Sequence, residues 1–342
     1  MGEIRVRGKN YNLEFVRIIS FVLVIAIHVT NYYCRAYGEV SQGEYLFSLI
    51  IDAIARISVP CFFMISGALM LGRDESLEKQ GNRLLRFIIV LAIWSLIYYL
   101  WNTFFMKTSY DLTQILYRPV EAHLWYLYAM IPIYVVLPFL QIMCRGMSMK
   151  LDRAFFFVST LAILFNFGLY LADAEAYYDM PLIGDRIYMY YVFIGYFIYK
   201  YRKHITISPG ILMTVATFCM TTVIGLTWFI TTKMGAHYED LLTYGNPLIA
   251  LTAMAFFLFM IRLKNGNISV GTKCEKVVKL LGECSFGIYL IHILFLDAYK
   301  KYVSPSQWSA WFAVPILLIA ICFLSLVSVW LLRKTKLGRK LT

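Results

Sequence analysis

Charge is what this sequence has least of. Only 15% of its 342 residues are Asp, Glu, Lys or Arg, against roughly 25% in an ordinary soluble domain. With 60% hydrophobic residues and a mean hydropathy of +0.66, a soluble globular chain is excluded and an integral membrane protein is implied. Cysteine pattern is missing too. The seven cysteines, at 34, 61, 144, 219, 274, 284 and 322, show no C-x-x-C and no zinc-like spacing. Their scatter and odd number argue against a structural metal and against a disulfide framework. No Gly/Ser linker, low-complexity tract or fixed-period repeat interrupts the chain, so a single membrane domain over residues 1–342 is expected. The basic start "MGEIRVRGKNYN" leads into a full-length apolar run without a small-residue cleavage site. That pattern reads as an uncleaved anchor rather than a signal peptide.

What is present is apolar sequence in spanning lengths of roughly 20 residues. Such runs fall at about 13–33, 45–71, 87–105, 124–140, 154–171, 187–199, 209–231, 247–263, 280–299 and 309–332. The expected fold is therefore all-α, with about ten transmembrane helices. The sixth run is short and could borrow from "PLIGDR" before it. The 26 Tyr and 7 Trp suit a chain that crosses many interfaces, where amphipathic rings settle. The formal charge of +12 has a cause simpler than nucleic acid, because basic loops fix orientation. Of the 32 Lys and Arg residues, 23 fall in one alternating set of connections and 7 in the other. The positive-inside rule then places both termini in the cytoplasm, N-in and C-in, in a multi-pass protein of the cell membrane. Acidic residues lean to the other side, most of all in "ADAEAYYDMPLIGD".

A few ionisable residues interrupt the spans, and a charged group at bilayer depth costs about 2.5 to 3.5 kcal/mol on insertion scales. In the first span, Arg17 and His28 are eleven residues apart, which puts them on one helix face, roughly 16 Å apart along the axis. Glu14 precedes Arg17 by one turn, a spacing at which opposite charges attract. The bland reading is a snorkelling Arg17 and a His28 that only packs. It explains Arg17 alone and leaves a titratable ring on the same stripe at depth unexplained. The second span carries Asp52 and Arg56 at i, i+4, then Pro60, which should loosen the helix, and Ser66-Gly67, which permits close packing. Asp52 and Arg56 also suit a merely structural ion pair. Arg83 and Arg86 form an R-x-x-R at the cytoplasmic mouth. Guanidiniums one turn apart can fork phosphate oxygens, though flanking arginines also serve as topology anchors. "EAHLWYLYAM" brings His123 and Trp125 to the outer end of the fourth span. Interface anchoring explains Trp125, and an idle, exposed His123 is an equal alternative. In the ninth span, His292 reaches mid-depth near the level of His28 and Arg56, so a shared polar cavity is expected there.

Several of these stretches occur together in order. They are R-x10-H at Arg17 and His28, Arg56 before "SVPCFFMISG", Arg83-x-x-Arg86, "HLWYL" at 123–127 and "SFGIYLIH" ending at His292. On that basis the chain, from Asn12 to about Leu332, resembles the acyltransferase family 3 membrane proteins, especially their short sugar O-acetyltransferases. The resemblance implies ten or more helices, and an acyl-CoA donor, acetyl-CoA for an acetyl group, taken from the cytoplasm. It also implies a glycan or lipid-linked sugar as acceptor, with no metal. By the same resemblance Arg17 and His28 are required, and Arg83 and Arg86 are linked to the donor. Two departures are visible: no hydrolase-like extension, and no Pro after the R-x-x-R in "RFIIVL".

The residues themselves suit that chemistry. Acyl transfer from a thioester to a hydroxyl needs a base, because an alcohol is a weak nucleophile. An imidazole such as His28 titrates in the useful range. Whether His28 takes the proton or first takes the acyl group stays open in the sequence. Arg56 is expected to stabilise the developing oxyanion, His292 to share the catalytic site, and Arg17, Arg83 and Arg86 to hold the donor phosphates. Glu14, Asp52, His123, Trp125, Ser66 and Tyr289 are expected in support. Two other classes compete. A transporter of a small polar solute such as an amino acid would use mid-depth polar groups, helices broken at Pro60, Pro132 and Pro138, and the Thr-rich "MTVATFCMTTVIGLTW". Dependence on acyl-CoA separates it from a transferase. A non-catalytic scaffold gives no reason for Arg17 and His28 to share a stripe.

Overall fold

The computed structural model describes residues 10–174, 187–266, 268–269 and 271–342. The basic arm before residue 10, most of the acidic connection at 172–185 and the "PLIGDR" segment lie outside the described residues. The described chain is helical and contains no strand, as its hydrophobic pattern requires. Nine helices among the described residues are long and apolar enough to cross a bilayer. They match the expected runs in order, with one exception. The run at 187–199 forms α7 (Tyr188–Tyr201), only 14 residues long. At about 21 Å it is shorter than a hydrocarbon core of ~30 Å. Every residue from Tyr190 to Tyr199 is buried, so this helix is wrapped by protein rather than by lipid.

The centre of the bundle is α1 (Tyr11–Cys34), which Asn10 caps by accepting the Leu13 N–H. Next along the chain come α2 (Gln42–Ala55), α3 (Ser58–Met70) and α4 (Leu77–Leu100), the last continued by a π-helical turn at Trp101–Met106. Beyond them lie α5 (Trp125–Gly146), α6 (Met149–Leu171), α8 (Pro209–Met234), α9 (Pro247–Arg262), α10 (Thr272–Lys300), α11 (Ala310–Leu332) and the short α12 (Lys336–Leu341). Helix α1 packs against α2, α3, α9, α10 and α11. Asn12 staples its start to the end of α9: Nδ2 donates to the carbonyls of Met260 and Leu263, both at 2.9 Å, and Oδ1 accepts from the Ile268 N–H. Around this centre, α4, α6, α8 and α11 turn Leu96, Phe157, Phe165, Phe218, Phe229, Phe312 and Phe323 outward. Such a surface would aggregate in water, but it matches lipid.

Proline and glycine set two local features that shape the interior. Pro60 has no N–H for the carbonyl four residues earlier, which is that of Arg56, and its ring crowds the same group. The second span accordingly splits at Arg56 and Ile57 into α2 and α3, as expected from the sequence. The breaks expected at Pro132 and Pro138 do not occur, because α5 runs through both. Inside a membrane bundle the freed carbonyls can be accommodated by small backbone adjustments and neighbouring groups. Where α3 crosses α7 the backbones nearly touch. A Cβ built at Gly67 would stand 1.8 Å from the Val192 carbonyl oxygen, and one at Gly195 would stand 2.1 Å from that of Met64. Only glycine fits at either position.

Candidate active site

On α1 the expected stripe is in place. Arg17 Nη1 donates to Glu14 Oε1 at 2.9 Å, with about a quarter of the Arg17 side chain accessible. About three turns on, His28 enters the interior and meets two further imidazoles. Its ring centroid lies 5.2 Å from that of His292 and 6.5 Å from that of His123, and those two are 5.4 Å apart. His123 is not idle at a surface. It sits in a 3-10 turn, Ala122–Leu124, just before α5, and is 1% exposed. The sequence could not bring it here, since its partners come from α1 and α10.

Main-chain carbonyls fix two of the three rings. His292 Nδ1–H donates to the Tyr289 carbonyl at 2.6 Å, and His123 Nε2–H donates to the Leu290 carbonyl at 3.3 Å. A carbonyl can only accept, so each contact assigns the proton to that nitrogen. The other nitrogens, His292 Nε2 and His123 Nδ1, are buried acceptors with no partner among the described residues. A buried polar atom left unmatched costs about 1 to 3 kcal/mol, and these two lie beside a third imidazole. Tyr98 and Tyr289 hold the frame. Tyr98 Oη donates to the Leu290 carbonyl at 2.7 Å, and Tyr289 Oη donates to the His123 carbonyl. His28 itself makes no hydrogen bond among the described residues and is only partly buried. Lys300 and Arg56 stand near enough for their charges to act on it. Lys300, with its ammonium 5.3 Å from the Tyr32 ring centre, was not singled out from the sequence. The signal available was its place two turns beyond His292 on one stripe of α10.

A cavity of about 240 Å³ lies between Arg17 and Tyr289, the tyrosine beside the histidines. Its wall includes Arg17, Phe62, Ser66, Tyr126, Tyr134 and Tyr289. Phe62 and Met70 both line it, and the eight helical steps from one to the other cover about 12 Å along α3. Tyr289 belongs to this wall and also lies 5.6 Å from His123 and 6.0 Å from His292, ring to ring. The chamber therefore runs along an aromatic lining from a guanidinium to Tyr289, whose ring packs beside His123 and His292.

The R-x-x-R arginines divide. Both stand near Tyr134 of the cavity wall. Arg83 is paired with Glu75 at 2.9 Å, yet its Nη1 is a buried donor without a partner among the described residues. Arg86 turns to α12, where its Nε and Nη2 donate to the carbonyls of Lys340 and Arg339. In the loop before α4, Glu75 gathers Arg73, Lys79 and Arg83. Burial works upward on its carboxyl, but the hydrogen bonds and charges of Lys79 and Arg83 prevail and hold it below the usual carboxylate range.

Arg56 is tied to Asp52, donating from Nε at 3.2 Å and from Nη2 at 2.8 Å, while Thr30 Oγ1 donates to the other Asp52 oxygen. The structural pair foreseen from the i, i+4 spacing is therefore present. Glu239 lies 3.7 Å from the same guanidinium and also takes Arg35 and Asn31. Burial raises the Glu239 carboxyl, but these donors outweigh it and leave it below its ordinary value. Trp125 is no lone interface anchor. It packs among Phe63, Tyr188 and Tyr244, at 6.4, 4.9 and 5.7 Å between ring centres. Among the described residues no group of His, Cys, Asp and Glu side chains converges as metal ligands would.

A family model described as an acyltransferase domain, that of acyltransferase family 3, matches residues 10–333. No curated protein and no solved structure matches the chain. The matched span contains all nine helices of spanning length, the cavity and the three histidines. The chain belongs to acyltransferase family 3 and is a multi-pass membrane acyltransferase.

Proposed function

We propose that the protein transfers an acyl group, acetyl by its resemblance, from cytoplasmic acyl-CoA to a hydroxyl of a cell-envelope glycan or lipid-linked sugar. The observation that carries this reading is the chamber between Arg17 and the histidine cluster. In the N-in orientation supported by the basic loops, Arg17 and Arg83 face the cytoplasmic side of the cell membrane. The free Arg83 Nη1 and the accessible Arg17 are suited to the donor phosphates, with Arg86 beside them. The thin pantetheine arm then follows the aromatic wall, and the thioester reaches His28.

His28 acts as general base. It takes the acceptor hydroxyl proton as the oxygen attacks the thioester carbonyl. The tetrahedral intermediate collapses with loss of the C–S bond, and the imidazolium returns its proton to the leaving thiolate. Positive potential from Arg56 and Lys300 favours the negative carbonyl oxygen in a site poor in water. His292 and His123, each with an unprotonated nitrogen, orient the His28 ring or the acceptor hydroxyl. Glu14 steadies Arg17. Purified protein given acetyl-CoA should release free CoA thiol, faster with a sugar acceptor present. Solute movement across vesicles without any acyl-CoA would overturn the reading.

A further inference from the structure

A second cleft lies on the lipid-facing side of the bundle, and none of the residues lining the donor chamber lines it. Its deep part is a groove of about 580 Å³ between α6, α7, α8 and α9, walled by apolar side chains such as Phe156, Ile198, Val215 and Leu258. At the basic face it meets a cavity of about 800 Å³, and Leu212 lines both. That cavity presents Arg202, Lys203, Arg262 and Lys264, with no carboxylate in its lining. We propose that this cleft holds a membrane lipid with an anionic phosphate headgroup, its phosphate among the four cations and an acyl chain in the groove.

Three features favour such an occupant over a row of orientation anchors. First, two of the cations are fixed rather than free to snorkel. Arg262 Nη1 donates to the Ile207 carbonyl at 2.6 Å, while Arg202 donates to the Tyr199 carbonyl and lies 4.1 Å over that ring. Second, Lys264 occupies left-handed backbone, φ 49°, a conformation that lysine adopts at a cost. Third, the one carboxylate lining the groove among the described residues is already paired with a cation of the protein, because Asp152 Oδ2 takes both Lys200 Nζ and Tyr201 Oη at 2.5 Å. Fixed cations at headgroup level above an apolar slot complement an anionic amphiphile. Helices α6 and α8 flank the slot and turn Phe157 and Phe218 toward lipid, so a lipid can enter sideways.

The test uses the purified full chain in mild detergent. It is titrated with phosphatidylglycerol, with phosphatidylcholine of the same acyl chains, and with glycerol phosphate, and retained lipid is counted by native mass spectrometry. Phosphatidylglycerol should be held about tenfold or more tightly than phosphatidylcholine, since a charged hydrogen bond is worth that factor. Lys203→Gln with Lys264→Gln should remove most of that preference. Both lysines are exposed, so the variant should keep its unfolding temperature. Val215→Trp, which fills the groove, should weaken retention of both lipids without touching a charge. Equal retention of the two lipids, or an unchanged double variant, would return the cations to topology anchors. Competition by glycerol phosphate as strong as that by phosphatidylglycerol would make the ligand a soluble phosphate and overturn the proposal.

Discussion

His292 shows how much one proton can decide. Its Nδ1–H is committed to the Tyr289 carbonyl, so Nε2 must be the acceptor, on a ring whose centre lies 5.2 Å from that of His28. Replacing it by Phe keeps the ring and removes the nitrogen. His292→Phe should lower turnover about 100-fold, at the lower end of what acid–base partners contribute, while the dissociation constant for acyl-CoA stays put. Loss of donor binding instead would show that His292 builds the chamber rather than serving the reaction. A second residue, Glu75, governs acid stability at the mouth. Its folded pKa is depressed, so its contribution is complete above the unfolded value of about 4.3 and fades as pH falls through the folded value. The unfolding temperature should drop below about pH 4.3, and Glu75→Gln should flatten that drop. An identical acid slope in the variant would mean that the cluster around Arg83 adds nothing.

Helices α3 and α7 carry the scaffold that holds the cavity, and their crossing depends on two missing side chains. Gly67→Ala or Gly195→Ala puts a methyl group into facing backbone, which should cost about 1 to 3 kcal/mol or more and lower the unfolding temperature. Gly81→Ala on α4, where nothing lies within 4 Å, should be neutral or stabilising by about 0.5 to 1 kcal/mol. Similar losses at all three would show that helix propensity, not the close crossing, decides. Elements of this kind were partly legible in the sequence. The spans, the Ser66-Gly67 contact point and the break before Pro60 follow from local rules of hydropathy and backbone chemistry. The stripe of Glu14, Arg17 and His28 follows from helical periodicity, and it stands as expected. What local pattern could not give was the meeting of distant chain segments. His123 lies beside His28 only because the turn before α5 packs on α10 through Tyr98, Tyr289 and the Leu290 carbonyl. Arg86 is drawn to α12 by carbonyls more than 250 residues away. The burial of α7, a short run that looked like a span, likewise depends on Gly195 and its distant partner.

At the scale of the whole molecule, the account rests on two ends of a bundle doing different things. The proposed orientation, argued from basic asymmetry, puts the Arg17 end in the cytoplasm, and the exposed Cys274 provides a native probe of it. An impermeant maleimide should label Gln307→Cys, built in a Cys274→Ser background, from outside intact cells. Cys274 in the parent chain should react only after permeabilisation. The reverse pattern would place the donor end outside and remove cytoplasmic acyl-CoA from the account. Arg17 and His28 stand roughly 16 Å apart along α1, and the proposed mechanism gives donor binding to the first and chemistry to the second. The most direct measurement compares acyl-CoA binding and acyl transfer in folded His28→Ala and Arg17→Ala proteins. The account predicts that His28→Ala binds acyl-CoA normally and loses transfer by about 100-fold to 10,000-fold, while Arg17→Ala first loses donor affinity. Near-normal transfer by folded His28→Ala would contradict it and move the base to His292.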